Sequence, residues 1–271
     1  MRIAHLTPPS AAYLVPDPAE LPGHEDVTVE NVMIRVEVPL ATDPARLVLK
    51  DLVYVDSALQ AVADGFDGIF VNTVADYGID LIRGTVDVPA VGAGEASVAE
   101  AVSLAPTFGI VTVWPSSTQI YYDRVLAATG AADRCRSTRF VLEETELAGL
   151  GGGAGVMAAA HDPDSSVAAR VLAVARDAVD RDGAESIVLG CSCMTRLTSY
   201  LAAELPVPVV DPRATGFAAT VAAARAGRTS VEANPDTVAR IRAAVDVWAG
   251  MGDSVTTAWA DDCGDVCATV A

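Results

Sequence analysis

Along this chain, short apolar runs alternate with longer stretches in which apolar residues recur at helical spacing. The apolar runs predict strands at 2–6, 28–37, 67–71, 89–92, 108–113, 137–142, 186–189 and 207–210. Helical spacing predicts helices over 46–64, 76–84, 95–105, 116–129, 165–181, 193–204, 213–226 and 235–249. Strands alternating with amphipathic helices predict an α/β fold, its parallel sheets covered on both faces.

The pattern also echoes itself. "DGIFVNTVADYGIDLIRGTVDVPAVGAG" runs strand, polar turn, helix and Val-Pro strand, and "ESIVLGCSCMTRLTSYLAAELPVPVVDP" repeats that order at nearly the same length. Two such units predict two pseudo-symmetric Rossmann-like lobes with an active site between them, each lobe presenting a strand-to-helix turn. Counting forward from Ile69 and Ile187 sets Thr73 opposite Cys191, whereas counting back from Val88-Pro89 and Val207-Pro208 sets Asn72 there. Either way, the first lobe carries no thiol at the mirror position.

Composition narrows the class of protein. A chain of 271 residues with 51% hydrophobic content can bury a sizeable core. Its net charge of −18 repels phosphate backbones and anionic bilayers, which speaks against nucleic-acid and membrane partners. No apolar run approaches membrane-spanning length and the start lacks the pattern of a signal peptide, so a cytoplasmic protein is expected. The five cysteines (135, 191, 193, 263 and 267) show no disulfide framework, and reduced thiols are expected with that compartment.

Gly190-Cys191-Ser192-Cys193-Met194-Thr195 follows a predicted strand, where parallel α/β sheets bind ligands. A helix starting near residue 193 would aim free N–H groups at the turn, lowering a thiol's pKa and attracting a carboxylate. Ser192 and Thr195 add hydroxyls. Cys193, on the first helical turn, reads as packing. In the mirror turn, Asn72 and Thr73 can donate to a carboxylate or enolate oxygen, or cap a helix with Asp76 in its first turn.

Other stretches offer less. "HLTPPSAAYLVPD" ends the first strand in a stiff double proline, from which Thr7, Pro8 and Ser10 could reach a ligand or simply form a loop. "GLGGGAG" (149–155) follows no convincing strand and is read as a flexible loop, not a dinucleotide site. Cys263 and Cys267 lack further ligands, and His5, His24 and His161 have no ligand spacing, so no metal is expected. Tyr13, Trp114, Tyr121 and Tyr122 are candidates to line a pocket, or to pack.

With both units in view, residues 1 to 226 or so resemble the aspartate/glutamate/hydantoin racemase superfamily. "IVLGCSCMT…VPVVDP" is similar to its second cysteine turn, "VPAVGAGEAS" (88–97) to a stretch of the hydantoin racemases, and "PPSAAYLVPD" (8–17) to the opening of arylmalonate decarboxylases. The resemblance implies a cofactor-free enzyme working through an enolate between two lobes. On that division the first lobe is 1–105 with 213–250, the second is 106–212, and 251–271 is a weakly ordered tail. Cys191 is then the acid/base thiol, with Thr73 facing it as the other catalytic candidate. Asn72, Ser192, Thr7, Pro8 and Thr195 bind a small carboxylate or hydantoin-like molecule.

The family's two-thiol members use a first-lobe cysteine that this chain lacks. The first expectation is a racemase or epimerase acting α to a carbonyl. The alternative is a decarboxylase of the arylmalonate type, with Cys191 as sole proton donor. A maleate-type cis–trans isomerase and a non-catalytic sensor are further readings. A second copy of the chain is left open as a partner.

Overall fold

The fold was analysed on a computed structural model that describes residues 1–9 and 26–251. Ser10, Tyr13, His24, most of the 8–17 stretch, Cys263, Cys267 and nearly all of the 251–271 tail lie outside the described residues.

Among the described residues, eight strands form two four-stranded sheets, parallel throughout. The first contains β1 (Arg2–Thr7), β2 (Thr28–Met33), β3 (Gly68–Val71) and β4 (Ala90–Gly92), in the order β2-β1-β3-β4. The second contains β5 (Phe108–Thr112), β6 (Cys135–Phe140), β7 (Ile187–Leu189) and β8 (Val209–Val210), in the order β6-β5-β7-β8. The two orders are the same, strand for strand. The expected pair of pseudo-symmetric Rossmann-like lobes is what the chain forms. β3, β5 and β7 are buried at every position, which is why their sequences run apolar without alternation.

Helices α1 (Pro44–Ala63) and α10 (Pro235–Gly250) join the core that buries Leu6, Ile69 and Val71 of the first sheet. α9 (Pro212–Ala226) crosses back from the end of β8 and packs Phe217 and Val221 against Ile3 and Phe70. α3 (Ala93–Leu104) crosses the other way, burying Val98 and Ala101 with Ile110 and Val188 of the second sheet. The two exchanged helices bind the halves together.

Backbone hydrogen bonds settle the register of the echo. Ile69 N donates to Pro89 O and Ile187 N to Pro208 O, each at 2.9 Å. At the other end, Asn72 N donates to Leu6 O and Gly190 N to Val111 O. Asn72 therefore matches Gly190, and the next residues, Thr73 and Cys191, match each other. The residue that spoils a count from the prolines lies in the connections after these turns. Thr7 and Thr112 match likewise: their carbonyls accept from Ile34 N and Val141 N.

Several expected elements change. The strand over 28–37 ends at Met33. The helix over 76–84 shrinks to α2 (Ile79–Arg83), because Asp76 at φ +47° and Gly78 at φ +67° turn the chain first. The helix expected from 193 is a 3₁₀ turn (Ser192–Met194) followed by α8 (Leu197–Glu204).

The largest correction concerns 149–155, which is no flexible loop. Gly149 closes α5 (Glu144–Gly149), and Gly152 opens α6 (Gly152–His161). Gly151 takes φ +85° between them, and a Cβ on Gly155 would lie 1.6 Å from Leu150 O. These glycines permit a tight helix–helix corner. Val156, Met157 and Ala160 of α6 are buried with Cys193 and Met194, and that packing outweighs the helix-weakening tendency of glycine.

Candidate active site

β7 is central in its sheet and delivers the cysteine turn at its carboxyl end. Gly190 must be small: a Cβ there would lie 2.6 Å from Thr112 Cβ and 3.1 Å from the Tyr122 hydroxyl. Tyr122, in α4 (Gln119–Thr129), is buried and holds the turn from behind, donating to Gly190 O at 3.0 Å and lying 2.6 Å from Thr112 Oγ1. It braces the turn from the interior rather than lining a pocket, and Tyr121 is buried as well.

Cys191 is half-buried while Ser192, Cys193 and Met194 are buried. Cys191 and Cys193 bring their sulfurs together, their Cα atoms 5.2 Å apart, and Cys193 N donates to Cys191 Sγ at 3.3 Å. A one-residue spacer on a tight turn brings both sulfurs to one side. Cys135, the other cysteine of the described residues, is half-buried, and burial pushes its thiol up.

The two turns touch. Ser192 Oγ donates to Asn72 O across the lobes at 3.1 Å. Asn72 is buried and Thr73 half-buried, yet both side-chain atoms of the Asn72 amide and the Thr73 hydroxyl have no hydrogen-bond partner. Buried polar groups are ordinarily paired, so three orphaned atoms in one turn mark a place where something polar is received. They stand on the first-lobe turn that mirrors the cysteine.

The remaining candidates fall into supporting positions. The Thr195 hydroxyl is engaged with the Asp211 carboxylate, which also accepts from Thr198 and from Arg213 N and Ala214 N at the start of α9. Thr7 is buried at the end of β1, its hydroxyl reaching only Pro8 O at 3.4 Å, and Pro8 is half-buried.

Three features escaped the sequence reading. Asp76 reaches back to cap α3, accepting from Gly94 N at 2.8 Å and Glu95 N at 2.6 Å. Burial pushes its carboxyl up to about 8, against those two amides, which pull it down. His161 places Nδ1 3.3 Å from Cys193 O, and burial, then the charges of Arg196 and Arg213, lower its pKa. His5 is buried beside Phe70 with Nδ1 2.7 Å from Asn31 Oδ1 and Nε2 unpartnered. Only "GAGEAS" hinted at the first of these, and it named no partner.

Among the described residues there is no group of three or more His, Cys, Asp or Glu able to hold a metal ion. No helix of the described residues is long and apolar enough to cross a membrane.

The structure is thus two α/β lobes whose strand-end turns meet, one bearing Cys191 and the other the unpartnered groups of Asn72 and Thr73. The sequence profile of the Asp/Glu/hydantoin racemase family matches residues 22–220, and the chain belongs to that family. It is 34% identical over 146 residues to a hydantoin racemase of Paenarthrobacter aurescens, 54% of this chain and 56% of that one, so the match spans little more than half of that relative. The fold is similar to that of allantoin racemase from Klebsiella pneumoniae, with a TM-score of 0.71 and 22% identity over 85% of this chain and 90% of the other. It is also similar to unliganded arylmalonate decarboxylase, with a TM-score of 0.55 and 17% identity over 86% and 95% of the two chains.

Proposed function

We propose that this chain catalyses proton transfer at a carbon next to a carboxylate, with Cys191 in its dithiol form as the single carbon acid/base. The reaction that asks for one such group is decarboxylation of a malonate-like acid. Loss of carbon dioxide leaves its bonding electrons in an enolate. Cys191 delivers its proton to one face of the flattened carbon and regains a proton from solvent. The Asn72 amide and Thr73 hydroxyl donate to the enolate oxygen, which is the step such pre-placed donors accelerate most.

One observation carries this reading: Thr73 matches Cys191 across the two lobes. A threonine hydroxyl is far too weak an acid to exchange protons with carbon near neutral pH, but it is a good donor to an oxyanion. The expected racemase, with an acid/base on each face, therefore ranks second here. The identity with a hydantoin racemase favours it, and it would need a water or another group on the Thr73 side.

Heavy water separates the two. A decarboxylase places deuterium only in the product, and recovered substrate stays unlabelled. Label washing into recovered substrate, together with loss of its optical rotation, would replace the lyase by the racemase.

A further inference from the structure

The cysteine turn holds two sulfurs where the proposed chemistry uses one. Cys193 has no exposure, lies among Val156, Met157 and Leu197, and cannot reach a substrate. Cys191 is half-buried at the strand end, within reach of small molecules. The two Cα atoms, 5.2 Å apart, fall within the span that disulfides bridge, and the amide of Cys193 already points at Cys191 Sγ.

We infer that Cys193 is a resolving thiol and that the Cys191–Cys193 pair is a reversible redox switch on the active site. The inference rests on the reading of Cys191 as the acid/base. With the disulfide closed, Cys191 has no proton to give and no thiolate to accept one. Reduction by a dithiol opens the pair and restores both.

The oxidant is a peroxide. The Cys191 thiolate attacks one peroxide oxygen, the O–O bond breaks, and hydroxide leaves, giving a sulfenic acid at Cys191. The Cys193 sulfur attacks that sulfur, the S–O bond breaks, and the hydroxyl leaves as water with the Cys193 proton. Two thiols are oxidised and one peroxide is reduced to water. Because Cys193 sits two residues away, this closure competes with further oxidation of Cys191 to states that thiols do not reverse.

The test uses the full chain treated with hydrogen peroxide and then with dithiothreitol. Trypsin releases residues 182–196, which hold Cys191 and Cys193 and none of the other three cysteines. That peptide is expected to lose about 2 Da on oxidation and regain it on reduction. Turnover should fall by about 100-fold or more with the pair closed, the scale of a lost acid/base group, and return fully. Iodoacetamide should label Cys191 only in the reduced protein. Cys193→Ala should keep its activity in reductant yet lose it irrecoverably under prolonged peroxide.

A closed pair with undiminished turnover would overturn the switch and leave the enzyme reading standing. So would a Cys193→Ala protein that recovers as fully as the parent. Reduced protein inert towards every carbon acid tested would remove the enzyme reading and the switch with it.

Discussion

Thr73 and Cys191 occupy the same position in the two halves of the protein, each the residue after a backbone amide that donates to the neighbouring strand. One is a hydroxyl with no hydrogen-bond partner, the other a sulfur. On the proposed reading that asymmetry matters, because a sulfur near neutral pH can exchange a proton with carbon and a threonine hydroxyl cannot.

Replacing Thr73 tests that asymmetry directly. Thr73→Cys is expected to supply a second carbon acid/base, so that enantiopure product held in heavy water loses optical purity and takes up deuterium. The parent protein should do neither on the same timescale. Parent protein that racemises as fast as the variant would show that the Thr73 side already moves protons.

Cys191→Ala should lower kcat by about 10²–10⁴-fold, the usual worth of a positioned acid/base, while the far-ultraviolet circular dichroism stays unchanged. The side chain is half-buried at a turn, so its loss removes little packing. Activity surviving in this variant would take the thiol out of the reaction.

His5 should make the fold sensitive to mild acid. Burial lowers its pKa from 6.5 to about 4, so the native state holds it neutral. Below pH 6.5 the unfolded chain binds a proton that the native chain refuses. The stabilisation from this group is whole above pH 6.5 and is lost as the pH falls through about 4, amounting to roughly 3 kcal/mol. In denaturant titrations across that window, the parent should lose stability relative to His5→Gln as the pH falls. Parallel curves would show that His5 titrates alike in both states.

Gly94 should resist enlargement. A Cβ there meets Val74 O at 2.2 Å and Asp76 Oδ2 at 2.8 Å, both belonging to the turn that carries Asn72 and Thr73. Gly94→Ala is expected to cost about 1–3 kcal/mol as an overpacked core site does, lowering Tm by roughly 2–12 °C. Turnover should fall too, since the turn must move to make room. An unchanged Tm would mean that the Asp76 clamp is slack.

The strands and helices were largely legible because their signal is local. Ile187-Val188-Leu189 reads as a buried strand wherever it sits, and helix spacing in 165–181 survives any packing arrangement. Element ends were less legible: Asp76 and Gly78 stop a helix that periodicity would start earlier, through backbone angles that the apolar pattern does not encode. The glycine-rich stretch misled for a related reason. Glycine content argues for freedom, but at Gly151 and Gly155 it serves a left-handed corner and a close backbone approach.

The sequence by itself determined the duplicated α/β plan, the apolar strands that fill its sheets and a thiol at a strand end, because each is written in contiguous residues with a fixed period. Tertiary structure decided which residue matches that cysteine in the other half, that Ser192 joins the two turns through Asn72, and that Cys191 lies against Cys193. Those depend on hydrogen bonds and contacts between segments up to 120 residues apart, and a single extra residue in one connection is enough to hide them from any count along the chain.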